Sequence, residues 1–471
     1  MKKNVLTLLC CVGAVAGLAS CGNQTSSYSA DVSDGGKVIN IRCWNNEFEG
    51  KFKSYYPNIA KDNGDDTFTL KNGNTVKFII VANDGNAYQT ALDKALAAQN
   101  TAAADDKVDM FLMEADYALK YANSDYSLDV KDLGLTNTDT SDMYDYTKVI
   151  ATDTRSGRGS ALKGVSWQAT PGLYAYRTDI AEDVLGTSDP TEVQSKIDTW
   201  DKFDAVAAQM KAKEHYMLSG YDDSYRTFSN NASKAWADDS GKISIDPQIK
   251  KWVKQTKSYT DSAYSHKTKL WDTDWGKDQG PTGNVFGFFY STWGINFTLK
   301  GNSLATAVKD GGKEEVGNGL FGKYRVCRGP ANYYWGGTWL CGANGTDNKS
   351  DVADIMKSMT CDSTIAEKIT RETEDYCNNK TAMHKIATDT SYGSAFLGGQ
   401  NHIALFEKTA ADIKMTAMSA YDQGCNEQYQ NAMHDYFAGT PYATAIATFK
   451  TKVTALYPEA TYDSSVDADI A

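Results

Sequence analysis

The chain has 471 residues, 41% of them hydrophobic and 23% charged, with 10 Trp, 28 Tyr and 16 Phe; this is ample material for a folded core and excludes a disordered chain. Its 48 Lys and Arg against 60 Asp and Glu leave a net charge of −12, the wrong sign for neutralising phosphates over a broad surface, so no nucleic acid partner is expected. Beyond the N-terminus no stretch approaches the roughly 18–20 continuous apolar residues of a membrane-spanning helix, and the length suits two or three domain-sized units.

The N-terminus reads as a processing signal. Met1-Lys2-Lys3 is basic, Leu6 to Leu18 is apolar but short for a span, and Leu18-Ala19-Ser20-Cys21-Gly22 sets small residues before a cysteine. This arrangement resembles a bacterial lipoprotein signal, which implies cleavage before Cys21 and a lipid on its sulfur; the alternative is a plain secretory signal. Either one removes residues 1–20 and places the protein outside the cytoplasm. Residues 22–36 are polar and glycine-punctuated, the composition of a flexible tether. Once Cys10, Cys11 and Cys21 are set aside, Cys43, Cys327, Cys341, Cys361, Cys377 and Cys425 remain, which permits disulfides without requiring them. There is no C-x-x-C and the histidines (His215, His266, His384, His402, His434) are scattered, so no metal or cofactor is expected.

Strands and helices then alternate. Lys37 to Trp44 has strand alternation, Glu47 to Tyr56 forms a short helix ended by Pro57, Val76 to Val81 is a buried strand, Tyr88 to Gln99 a helix and Val108 to Met113 a third strand. This spacing predicts an α/β lobe on a mostly parallel sheet. Trp200 to Glu214 and Pro247 to Tyr264 read as helices and Val285 to Tyr290 as a strand, the outline of a second lobe. The last third is helical at Asp351–Met359, Thr364–Tyr376, Asn426–Phe437 and Tyr442–Leu456, the last with Ile446, Phe449, Val453 and Leu456 on one face. Thr364 and Glu367 read as a capping box. A continuous helix from there would hold Cys361 about 24 Å from Cys377, so the two can pair only if it ends early.

Catalytic motifs are missing: there is no G-x-S-x-G, G-x-x-x-x-G-K-[ST] or H-E-x-x-H. Glu114 with Asp116, or Asp272 with Asp274, can be drawn as a glycosidase dyad, but 60 acids guarantee close pairs. The run Asp272 to Asp278 lacks the glycine and glutamate of a calcium loop and reads as a solvated acidic loop. The tryptophans are more informative. Trp44, Trp167, Trp293, Trp335 and Trp339 lie at strand ends or in glycine-rich turns among Asn, Gln, Thr and Gly. Open α/β sheets bind ligands at the carboxyl ends of their strands, and a sugar ring suits such a surface: its C–H face stacks on indole while its hydroxyls need donors and acceptors.

Trp44-Asn-Asn-Glu-Phe48, Val108-Asp-Met-Phe-Leu-Met-Glu-Ala-Asp116, Gly287-Phe-Phe-Tyr-Ser-Thr-Trp-Gly294, Gly329-Pro330 and Tyr334-Trp-Gly-Gly-Thr-Trp-Leu340, with the lipoprotein signal, resemble extracellular solute-binding protein family 1. These lipoproteins serve bacterial ATP-driven sugar importers and are similar in plan to maltose-binding protein. The resemblance covers nearly all of residues 37–460 and implies a two-lobed periplasmic-binding-protein type II fold, α/β in class, with a ligand cleft between the lobes. It implies crossings near Ser166–Pro171, Cys327–Asn332 and Cys377–Lys380, a first lobe of 37–166 plus 333–378 and a second of 171–327 plus 381–460. The family's aromatic stacking position falls on Trp293, and Trp335 lies just beyond a crossing.

The ligand-binding residues expected are therefore Trp44, Asn46, Glu47, Asp84, Glu114, Asp116, Trp167, Trp293, Trp335 and Tyr421. Trp200 and Trp339 are read as packing residues, and Asn46 has a second reading as a helix cap. The expected partners are a carbohydrate and the permease subunits of an ABC transporter, with membrane contact through the lipid alone and a monomeric chain. A surface glycoside hydrolase or lyase shares the secretion signal, acids and tryptophans but requires turnover. A binding protein for a non-sugar solute predicts a charge-lined cleft.

Overall fold

Fourteen strands fall into two main sheets and two short pairs in a computed structural model that describes residues 29–155, 160–415 and 418–470. The signal, Cys21 and the start of the tether lie outside the described residues. In chain order the strands are β1 (Val38–Cys43), β2 (Ile59–Gly64), β3 (Thr67–Leu70), β4 (Thr75–Ile80), β5 (Met110–Glu114), β6 (Val165–Ser166) and β7 (Gly172–Arg177). Then come β8 (Leu218–Gly220), β9 (Lys242–Ile243), β10 (Ser265–Thr268), β11 (Gly287–Ser291), β12 (Tyr324–Cys327), β13 (Thr338–Gly342) and β14 (Thr461–Tyr462).

The large sheet has the order β2-β3-β4-β1-β5-β13-β6. Only the pairs of β1 with β4 and with β5 are parallel, which corrects the expectation of a mostly parallel sheet. The reason is local. Short turns join β2, β3 and β4, and such turns can only return the chain antiparallel. Asp65 and Asp66, between β2 and β3, both have positive φ (52° and 58°), as a two-residue hairpin turn requires. β13 arrives late in the chain and inserts antiparallel between β5 and β6, fully buried with Trp339 in the core as expected. β4 is buried on one face only, at Val76 and Phe78, with Lys77 exposed between them.

The second main sheet is antiparallel, with β7 wholly buried between β11 and β12. Beside it, helices Tyr225–Ser229, Pro247–Asp261, Asp422–Phe437 and Tyr442–Leu456 enclose a separate apolar core containing Trp252, Tyr429, Phe437 and Phe449. Leu456, expected on the buried face of helix Tyr442–Leu456, is exposed at that helix's end. Helix Trp200–Ala212 is capped by the Thr199 hydroxyl, and Trp200 packs face to face on Phe228 with 4.4 Å between centroids.

The helix expected from Thr364 instead starts at Ser363, because the Asp362 carboxylate accepts from the backbone N–H of Thr364 and Ile365; Glu367 pairs with Arg371 and Lys385. It ends at Thr373, with Glu374 in the left-handed region, and Cys361 and Cys377 are both free thiols. Of the segment read as a tether, Asp31 to Gly36 is hydrogen-bonded along residues 344–350: Ser33 N–H donates to Thr346 O and Gly36 N–H to Asp347 O.

Three connecting segments run side by side between the two main sheets. Gln168 bridges Cys377, Pro171 bridges Tyr334, Asn378 N–H donates to Trp167 O (2.7 Å) and Trp335 N–H donates to Thr170 O (3.0 Å).

Candidate functional site

The carboxyl ends of β1, β4 and β5 share one edge of the large sheet, because these strands run parallel in register. Six of the expected residues follow those ends: Trp44, Asn46 and Glu47 after β1, Asp84 after β4, and Glu114 with Asp116 at the end of β5. Their environments differ. Asn46 and Asp84 are exposed, and Asn46 makes no side-chain cap; Asn45 Oδ1 instead accepts from Glu47 N–H. Trp44 is partly buried, edge-on to Tyr88 (5.6 Å) and Tyr117 (6.2 Å).

Glu114 closes β5, and its carboxylate accepts from Asp116 N–H at 2.7 Å, capping the turn at residues 115–117. Burial, and then the charge of Asp116, push its carboxyl up to about 8, against the pull of the Arg226 guanidinium. Asp116 is filled: its two oxygens accept from Arg226 Nη1 (2.7 Å) and Nη2 (2.6 Å), and Arg226 belongs to helix Tyr225–Ser229 on the other side. A recess behind this pair is lined by Asp116, Arg226, Asn230, Trp236, Tyr334 and Asn426.

Glu47 sits in a second polar chain. Gln168 Nε2 donates to Glu47 Oε1 (2.7 Å) and to Asp375 Oδ2 (3.3 Å), while the Thr292 hydroxyl donates to Asp375 Oδ1 (2.9 Å). Helix Glu47–Tyr55, two connecting segments and the turn after β11 are thereby tied together. Burial and the nearby Asp375 push the Glu47 carboxyl up to about 7, opposed by Lys51 and the Gln168 hydrogen bond.

The aromatic wall comes from the other sheet and the second connection. Trp293, just after β11, donates its indole N–H to Trp335 O (2.8 Å), and the two rings meet edge to face at 5.2 Å. Trp335 stacks on Tyr290 at 6.0 Å and 15°. Gly336, at φ 69°, joins this wall to the acids: a Cβ there would lie 3.3 Å from Trp293 Nε1 and 3.5 Å from Glu114 Oε1. The structure thus brings Trp293, Trp335 and Glu114 together.

Two expected residues lie elsewhere. Trp167 is 2% exposed and stacks on Phe48 at 5.2 Å and 27°, so it is core and not wall. Tyr421 packs on Tyr457 (4.5 Å) and donates to Glu459 (2.9 Å), against the helical core.

Sequence reasoning missed Arg226, Gln168, Asp375 and Trp271. Trp271 follows β10 and lies 6.2 Å from Trp293 and 6.1 Å from Trp335, yet is 55% exposed. Its signal was present, an aromatic at a strand end, but the acids after it gave that run the look of a solvated loop.

An indole wall facing acids at the strand ends of a neighbouring sheet, with three adjacent connections, is the plan of a two-lobed solute-binding protein. The chain belongs to the bacterial extracellular solute-binding protein family, whose model matches residues 65–382, and that membership places it outside the cytoplasm. A search of curated proteins finds no match. Among solved structures, an extracellular solute-binding protein of family 1 aligns at TM-score 0.69 and 15% identity over 90% of this chain and 99% of its own. The ABC-transporter-associated binding protein from B. animalis subsp. lactis Bl-04, in complex with β-1,6-galactobiose, aligns at 0.63 and 17% over 91% and 100%. The galacto-N-biose/lacto-N-biose I-binding protein from Bifidobacterium longum, in complex with lacto-N-biose, aligns at 0.60 and 14% over 91% and 98%. These likenesses establish the two-lobed fold.

Proposed function

We propose that the protein captures a carbohydrate of two or more rings between its lobes and delivers it to the permease of an ABC transporter. The observation that carries this reading is the Trp293–Trp335 wall beside Glu114, which pairs apolar stacking surface with a hydroxyl partner. The disaccharides bound by the B. animalis and B. longum proteins add support. The first lobe comprises 37–166 plus 333–378 and the second 171–327 plus 381–460, with the side-by-side connections as the hinge. Ligand contact with both lobes favours the closed form, which the permease reads. A lipid on Cys21 holds the monomeric chain beside its transporter, and the protein acts by binding without turnover.

A thermal-shift screen of the secreted chain against mono- and oligosaccharides tests this, since a ligand of the native state alone raises Tm. Sugars are expected to raise Tm, and Trp293→Ala to abolish the shift while remaining folded. No shift with any sugar, or release of new reducing ends, overturns the reading.

A further inference from the structure

Trp271 is held where an indole is costly to hold. Its φ is 71°, in the left-handed region that bulky residues avoid, and the residue is 55% exposed. Neither burial nor an alternative turn residue explains the choice; glycine or asparagine would fit that backbone better. The flanking chain enforces the conformation. Leu270 N–H donates to Asp222 Oδ2 (3.3 Å), Asp272 N–H to Lys269 O (3.1 Å), and the Trp275 indole N–H to the buried Asp223 Oδ1 (3.0 Å). Trp275 in turn meets the edge of Trp271 at 5.2 Å. Bulky residues in such regions persist when their surroundings over-determine them, and they concentrate at ligand clamps. Here the strained residue extends the aromatic wall: Trp271 is nearly parallel to Trp293, at 24°, and contacts Trp335 as well.

We infer that Trp271 is an outer stacking platform, preset for a second sugar ring beyond the one that Trp293 and Trp335 receive, and so a residue that sets the preference for longer ligands. This rests on the carbohydrate reading above. A fixed platform loses little rotamer freedom when the ring arrives, which favours affinity.

The test titrates the full secreted chain and its Trp271→Gly variant with glucose, galactose, maltose, β-1,6-galactobiose and lacto-N-biose, and records Tm without sugar. Glycine suits φ 71°, so the variant is expected to keep or raise the sugar-free Tm. Affinity for a bound disaccharide is expected to fall by about three- to ten-fold, the worth of one aromatic stack. A variant that binds the disaccharide as tightly as the parent overturns the inference alone. So does one that loses affinity together with Tm, which marks Trp271 as a packing residue. A parent chain that binds none of these sugars overturns the carbohydrate reading and, with it, this inference.

Discussion

Arg226 forks onto Asp116, with 2.7 and 2.6 Å between its guanidinium nitrogens and the two carboxylate oxygens, and so joins the end of β5 to a helix beside the second sheet. The contact stabilises the approach of the two halves. It also occupies the acid that sequence reasoning assigned to sugar hydroxyls. The side chains are 20% and 30% exposed, so solvent screens the pair in part; its bidentate geometry keeps its worth at about 1 kcal/mol, roughly five-fold in the closed-to-open ratio. Arg226→Gln is expected to increase the sugar-free radius of gyration in small-angle scattering and to weaken sugar binding by up to about five-fold. If both quantities match the parent, the pair does not hold the halves together.

The raised carboxyls give a pH dependence with a definite sign. Glu114 is pushed from 4.5 up to about 8 by burial, so the folded chain holds this proton more tightly than the unfolded chain does. Its contribution to stability is fully present below about 4.5 and is lost as pH rises toward about 8. Glu47 and Asp223, each pushed up to about 7, act in the same direction over the lower part of that window. Melting temperature should therefore fall between pH 5 and pH 8. Glu114→Gln keeps an acceptor for Asp116 N–H and carries no charge, so the variant should lose part of this slope and melt a few degrees above the parent at pH 8. A variant whose Tm falls with pH as steeply as the parent's would show that Glu114 is not the group responsible.

Much of this was legible because it is local. The alternation in Val38–Cys43, the apolar spacing of Trp200–Ala212 and the position of Glu114 at a strand end are properties of a few consecutive residues. The turns that join β2, β3 and β4 were also written locally, in Gly64-Asp65-Asp66 and Asn72-Gly73, but the exposed, polar β2 has no apolar alternation to mark it. Trp200 and Trp339 were legible as packing residues, but the division between Trp167 and Trp271 was not. Trp167 and Trp271 both follow strands, and what separates them is Phe48, which reaches Trp167 from a helix far back in the chain. Arg226 and Asp116 stand 110 residues apart, and nothing in Tyr225-Arg226-Thr227-Phe228-Ser229 points to a carboxylate.

Gly336 offers a way to move the wall relative to the acid without deleting either. At φ 69° an alanine is strained, and its Cβ would crowd the Trp293 indole nitrogen at 3.3 Å and touch Glu114 Oε1 at 3.5 Å. Gly73, at φ 92° in the β3–β4 turn, gives a matched control: alanine there carries a similar strain with nothing within 4 Å. Both substitutions should cost about 1–2 kcal/mol of stability in urea unfolding, since each removes a left-handed glycine. Only Gly336→Ala should weaken sugar binding, because the indole must give way and its hydrogen bond to Trp335 O shifts with it. Equal sugar affinity in the two variants would mean that the spacing between Trp293 and Glu114 does not control recognition.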